Sequence, residues 1–241
     1  MRAQSLATTD TIYSADSIEW CPHPGSEGIF VCGTYQVLEP RPGEASGSAD
    51  APAEPDSESD DEGAEQSGPR QTERTGRLLV FRVGEDESSF EEIQRIDTAA
   101  ILDGKWSPRI DDGKSVYAAG DAKGCIATYA LDQSSGQLSQ QERIQVADPT
   151  TLCLSLDWSH RLNPSSPSSL ITSLSSGSLA HLTPTPTGLA IDQTFHAHDF
   201  EPWIASFDLQ HPSVVWSGGD DCKLKSWDLR DTSRPATVNK R

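Results

Sequence analysis

A chain of 241 residues is long enough to bury one core, since all-β barrels and propellers reach this size undivided. Its 37 acidic residues against 19 basic ones give a net charge of −18, which repels phosphate backbones and anionic lipid surfaces, so neither nucleic acid nor a membrane is an expected partner. No run approaches the ~18 apolar residues of a membrane span, and Cys21, Cys32, Cys125, Cys153 and Cys222 are odd in number with no CxxC pair, which points to reduced thiols in a cytosolic or nuclear protein, the cytoplasm being the expected location.

The first element in chain order lies in "SADSIEWCPHPGSEGIFVCGTY", which predicts a strand ending near Trp20 and a second over Ile29 to Thr34. The start of the chain, "MRAQSLATTDTIYSADSIEW", has none of the apolar stretch of a secretion signal. The composition then breaks. Residues 39–76 carry no aromatic residue and no Val, Ile or Leu, and they hold eleven acids against three arginines, a net −8 that leaves −10 for the rest. Such a segment cannot bury enough apolar area to offset its ordering entropy, and it is expected to be a disordered acidic insert. Within it Ser57 and Ser59 each have an acid three positions on, the pattern that an acidophilic kinase reads.

Beyond the insert the chain consists of short strand-like runs divided by turn residues, without helical periodicity. "TAAILDGKWSPRIDDGKSVYAAGDAKGCIATYAL" repeats the opening layout around Trp106, with strands at Ser115 to Ala119 and Cys125 to Leu131. A third copy carries Trp158, Leu170 to Leu174 and Ser178 to Leu182, and a fourth has Phe207 in the aromatic slot. The anchors are 52 and 49 residues apart, and the 86 from Trp20 to Trp106 becomes 49 once the 37 residues Glu39 to Thr75 are set aside. Further strands fit Phe90 to Ile96, Gln137 to Val146 and Leu189 to Phe195. Four strands in roughly 40 to 50 residues is the period of a β-propeller blade. The expected division is 1–38 and 77–98 for the first blade around the insert, then 99–147, 148–196 and an incomplete 197–241.

The fourth copy is the most legible. "VVWSGGDDCKLKSWDLRD" predicts a strand over Val214 to Ser217, a turn through Gly218 to Asp221, and a strand over Lys223 to Trp227. It resembles a WD-repeat blade closed by Trp227-Asp228. The resemblance implies a buried chain of hydrogen bonds through His198, Ser217, Asp221 and Trp227, with chemistry to match: a buried carboxylate in a turn needs donors, which an imidazole, a hydroxyl and backbone amides supply. These four residues are therefore expected to be structural. In the second copy Tyr129, and in the third Leu182 or a neighbour, stands in the tryptophan position.

"FVCGTYQVLE", "FHAHDFEPWIASFD" and "VVWSGGDDCKLKSWD" together resemble the diphthine methylesterase family of WD-repeat proteins. The resemblance implies an all-β WD-repeat propeller of seven blades, of which about four are present, so that the chain reads as a C-terminally truncated form. It also implies a cofactor-free carboxylic ester hydrolase of diphthamide biosynthesis, whose protein substrate is translation elongation factor 2 carrying the methyl ester of diphthine. Composition and periodicity alone would point instead to a non-catalytic WD-repeat adaptor.

No motif settles the chemistry. There is no G-x-S-x-G elbow, and His196 and His198 in "HAHDFEPW" have no third ligand in view, so no metal is expected. Cys32 and Cys222 lie in or beside expected strands, where a thiol behaves as a small buried apolar group. The candidates are Asp199 and Glu201 on the loop entering the fourth blade, one as general base on water or as partner of a cationic trimethylamino group, with Trp203 adding a cation–π contact. The plainer alternative has both acids solvated and Trp203 in the blade core.

Overall fold

A computed structural model of the chain describes residues 5–38 and 72–239. Blade one comprises β1 (Ser14–Trp20), β2 (Ile29–Leu38), β3 (Glu73–Val83) and β4 (Phe90–Ala99), and blade two β5 (Ile101–Asp111), β6 (Lys114–Asp121), β7 (Cys125–Leu131) and β8 (Leu138–Gln145). Blade three is β9 (Cys153–Trp158), β10 (Leu170–Leu174), β11 (Ser178–Thr185) and β12 (Gly188–His196), and blade four β13 (Ile204–Phe207), β14 (Val214–Gly218), β15 (Leu224–Asp228) and β16 (Thr237–Asn239). Each is a four-stranded antiparallel sheet with strands in sequence order, the meander of a propeller blade.

One expected boundary moves. β3 begins at Glu73, so residues 73–76 belong to a strand and not to the insert: Thr75 pairs with Gln36, Arg74 with Val37 and Glu73 with Leu38. The ladder is reinforced by Arg74 Nε donating to the Tyr35 hydroxyl at 2.8 Å and by the Arg77 amide donating to Thr34 Oγ1 at 2.8 Å. Backbone pairing across blade one holds these polar residues in a strand that their side chains alone would not specify. The rest of the insert, including Ser57 and Ser59, lies outside the described residues.

The core is distributed between blades. One cluster joins Val31, Leu78 and Val80 of blade one to Trp106, Tyr117 and Tyr129 of blade two. The next joins Ala118 and Ile126 to Leu156, Trp158, Leu170 and Leu182, and the third joins Ile171 and Leu179 to Phe207, Val215 and Trp227. At ~1.5–3 kcal/mol for each large apolar side chain buried, these junctions hold the blades side by side.

The first strands of successive blades also exchange hydrogen bonds in a repeating pattern. Trp106 Nε1 donates to the Glu19 carbonyl at 3.3 Å and Trp158 Nε1 to the Lys105 carbonyl at 3.1 Å, each reaching the residue before the preceding blade's anchor. Three residues before the anchor, Asp103 Oδ2 accepts the Leu156 amide at 2.9 Å and Ser155 Oγ accepts the Ala205 amide at 2.9 Å. Pro108 sits in β5 at an irregularity of register between Trp106 and Ile110, on an edge where its missing N–H breaks no regular ladder bond.

Candidate functional site at the rim of blade four

Two segments meet at this rim: the loop of residues 197–203 between β12 and β13, and the turn of residues 219–223 between β14 and β15. The loop is pinned to blade three, where the Gly177 carbonyl accepts the Ala197 amide at 2.9 Å and the His198 amide at 2.8 Å. The turn is pinned to the loop, because the Asp220 amide donates to the Glu201 carbonyl at 3.0 Å. That approach requires glycine at 219, since a Cβ there would collide with the same carbonyl.

Beneath the rim the structure brings His198, Ser217, Asp221 and Trp227 together. His198 Nδ1 lies 2.8 Å from Asp221 Oδ1 and Nε2 lies 2.8 Å from Ser217 Oγ, which also accepts from Trp227 Nε1 at 2.9 Å. Neutral imidazole satisfies both ring nitrogens, since Nδ1–H donates to the carboxylate and Nε2 accepts from the hydroxyl, while Asp221 Oδ2 has no hydrogen-bond partner and lies 3.4 Å from Lys225 Nζ. Burial pushes the His198 pKa down and outweighs the pull of Asp221, so the neutral form is favoured. Burial alone would push the Asp221 carboxyl up, but the His198 ring N–H, the Lys223 amide and the charge of Lys225 hold it at about 2.

A serine, a histidine and an aspartate at these distances match the roles of a hydrolase triad. Accessibility argues otherwise. His198 is 0% exposed, Ser217 is buried, and Trp227 covers the hydroxyl while occupying one of its lone pairs. A carbonyl carbon has no route to Ser217 Oγ in this arrangement.

The groups that face solvent lie just above. Asp199 is exposed and receives a hydrogen bond from Lys223 Nζ at 2.7 Å, which holds its carboxyl below the usual range. Glu201 lies two residues on and has no ion-pair partner among the described residues. Trp203 is 54% exposed, so its ring is not blade core, and its indole N–H donates to Asp220 Oδ1 at 2.8 Å. Phe200, three residues earlier on the same loop, is also exposed. The rim thus presents two aromatic rings among Asp199, Glu201 and Asp220, an arrangement suited to a soft cation.

Sequence reasoning missed two of these partners. Lys223 as the cation on Asp199 and Asp220 as the clip on Trp203 arise because the turn folds against a loop some twenty residues earlier, and only the first aspartate's adjacency to Asp221 hinted at a separate role. Cys222, expected to be buried, is exposed at the tip of the turn. The other cysteines are buried, and all five are free. Among the described residues no group of three or more ligand-type side chains comes together. Two cavities lie elsewhere: about 810 Å³ on the open face of blade one, beside Trp20, Phe30 and Phe90, and about 580 Å³ between blades two and three.

No protein-family model matches the chain. A solved structure of similar shape is the crystal structure of the mitotic checkpoint complex, with a TM-score of 0.49 and 20% identity over 70% of this chain and 47% of that one. Curated proteins named diphthine methyltransferase match much more closely in sequence: the human protein is 35% identical over 98% of this chain and the mouse protein 34% over 98%. A Dictyostelium discoideum homologue of the same name is 29% identical over 90%. The chain spans about half the length of these relatives, 51%, 47% and 54% respectively. With four four-stranded antiparallel sheets that repeat as propeller blades, the chain has a propeller-type all-β fold and is similar along nearly its whole length to the curated diphthine methyltransferases.

Proposed function

We propose that the protein acts in diphthamide biosynthesis and hydrolyses the methyl ester of diphthine on translation elongation factor 2, in the cytoplasm. The observation that carries this reading is the similarity to proteins named for diphthine over 98% of the chain. The rim chemistry supports it. Glu201, without a cation beside it, serves as the general base on water, while Asp199 is committed to Lys223. The Trp203 face, fixed by Asp220, receives the trimethylammonium group of diphthine. Water adds to the ester carbonyl, the carbon–methoxy bond breaks, and the methoxy group leaves as methanol with the proton that Glu201 took from water. The other product is the free carboxylic acid, which releases its remaining proton to solvent and stands as the carboxylate.

The relatives' name invokes methyl transfer, and the two reactions are separable by their mass balance. Elongation factor 2 bearing the methyl ester is incubated with the protein in the absence of any methyl donor, and its intact mass is followed. Hydrolysis lowers the mass by one CH2 and releases methanol. An unchanged mass at stoichiometric protein would exclude hydrolysis, and a gain in mass confined to a parallel incubation of the unesterified factor with a methyl donor would establish transfer. A second reading, a non-catalytic adaptor, is favoured by the exposed Phe200 and Trp203. It calls for a stable complex that persists when Glu201→Gln is introduced, with no turnover in either form.

A further inference from the structure

We propose that the groove between blades two and three docks an arginine side chain of a partner protein, with Glu142 as its counter-ion. The inference is independent of the proposed reaction. The groove lies at the sheet ends that carry the β5–β6 and β11–β12 turns, whereas the rim of blade four is built from the β12–β13 loop and the β14–β15 turn.

A repeated contact between blades changes its chemistry once, and it does so in this groove. In the last strand of each of the first three blades, one residue sits beside a register shift and reaches into the following blade. These are Gln94 opposite Val80, Glu142 opposite Thr128 and Gln193 opposite His181. Gln94 uses both ends of its amide, since Oε1 accepts the Leu138 amide at 2.7 Å and Nε2 donates to the Leu138 carbonyl at 2.9 Å. Gln193 does the same, with Nε2 donating to the Leu229 carbonyl at 2.7 Å and Oε1 accepting from the Thr232 hydroxyl at 2.9 Å. Glu142 cannot donate. Its Oε2 accepts the Leu189 amide at 3.0 Å, while among the described residues Oε1 has no hydrogen-bond partner and the carboxylate has no ion pair.

This carboxylate lines the cavity of about 580 Å³. Val116, Ala130, Trp158 and Leu189 give the cavity apolar walls, which suit the methylene stem of a long basic side chain. Ser168, also on the wall, is 7% exposed and its hydroxyl has no hydrogen-bond partner, so a second polar group stands ready for a ligand. Of the remaining charges, Arg109 Nε is held by Asp111 at 2.5 Å, and Asp112 and Lys114 stand exposed on the β5–β6 turn. Glu142 is therefore the half-buried charge of the groove that lacks a counter-ion. A guanidinium answers this set, because its planar fork of donors pairs with a carboxylate and a hydroxyl together and brings no acceptor that would need a partner. The net charge of −18 draws a basic partner toward the chain from a distance.

The test is a titration of the full chain with the peptide acetyl-Ala-Arg-Ala-amide, followed by NMR at the amides of Gly188 and Leu189, which lie against the Glu142 carboxylate. Saturable shifts are expected, with affinity reduced about tenfold or more by Glu142→Gln. Glutamine is the residue at the two equivalent positions, so this variant is expected to keep or raise the melting temperature, and its loss of binding is then distinct from loss of folding. The same peptide with citrulline in place of arginine keeps the shape without the charge and needs no variant; it is expected to bind about tenfold or more weakly. Absence of saturable shifts overturns the proposal, as does equal affinity for the citrulline peptide or undiminished binding by a folded Glu142→Gln chain. Spermidine binding more tightly than the arginine peptide would also overturn it, by assigning the groove to a free amine and not to a protein.

Discussion

Ser217 has the partners of a nucleophile and the surroundings of a core residue, and the two readings differ in what its removal does. Ser217→Ala leaves His198 Nε2 and Trp227 Nε1 buried without partners, which costs about 1–3 kcal/mol. The urea midpoint is expected to fall accordingly, while ester turnover per folded molecule stays unchanged. The same chain of hydrogen bonds makes stability depend on pH. The His198 pKa is lowered in the fold, so the unfolded chain binds more protons below its unfolded value of ~6.5, and stability declines as the pH falls below that point. The Asp221 contribution is complete above the unfolded value of ~3.9 and is lost as the pH falls toward about 2. Melting temperatures that are flat from neutral pH to pH ~5 would contradict the neutral assignment of His198. At the turn tip, Cys222 has φ of +58°, a conformation that suits glycine. Cys222→Gly relieves that strain and is expected to raise stability by ~0.5–1 kcal/mol, net of the entropy glycine adds to the unfolded chain.

At the scale of the element, the blade strands were legible because the alternation of apolar and polar residues, the tight turns and the aromatic anchors all repeat on one period. β7 (Cys125–Leu131) and β10 (Leu170–Leu174) fall on the expected residues, and their neighbours differ only at the ends. Two things were hidden for physical reasons. Residues 73–76 have the composition of the insert, but pairing with Gln36, Val37 and Leu38 outweighs side-chain preference. Trp203 follows a proline just before a strand, and local pattern cannot say whether a ring there turns inward or outward; Asp220, seventeen residues later, holds it outside. The inter-blade bonds were equally invisible, because Trp158 reaches Lys105 across 53 residues. That bond is testable by Trp158→Phe, which keeps the ring but removes the donor. A loss of about 1 kcal/mol is expected in chemical denaturation, and no change would show that Lys105 loses nothing when its carbonyl is left to water.

At the scale of the whole molecule, the four blades share their cores pairwise, and blade one holds a further buried cluster of Cys32, Leu79 and Phe81 packed by Phe30 and Phe90. At the rim of blade four the loop and turn are tied to two blades, while Asp199, Asp220, Phe200 and Trp203 remain exposed. The proposed function divides the work between a buried His198–Asp221 pair below and a half-buried Glu201 above. The most direct measurement of that division is the rate at which diphthine methyl ester on elongation factor 2 loses its methyl group, compared between the wild-type protein and Glu201→Gln at equal folded concentration. The expected result is steady loss of one CH2 with the wild type and a rate ~10²–10⁴-fold lower in the variant at an unchanged melting temperature. Equal rates would remove Glu201 from the chemistry, and no methyl loss with either protein would contradict the hydrolase reading itself.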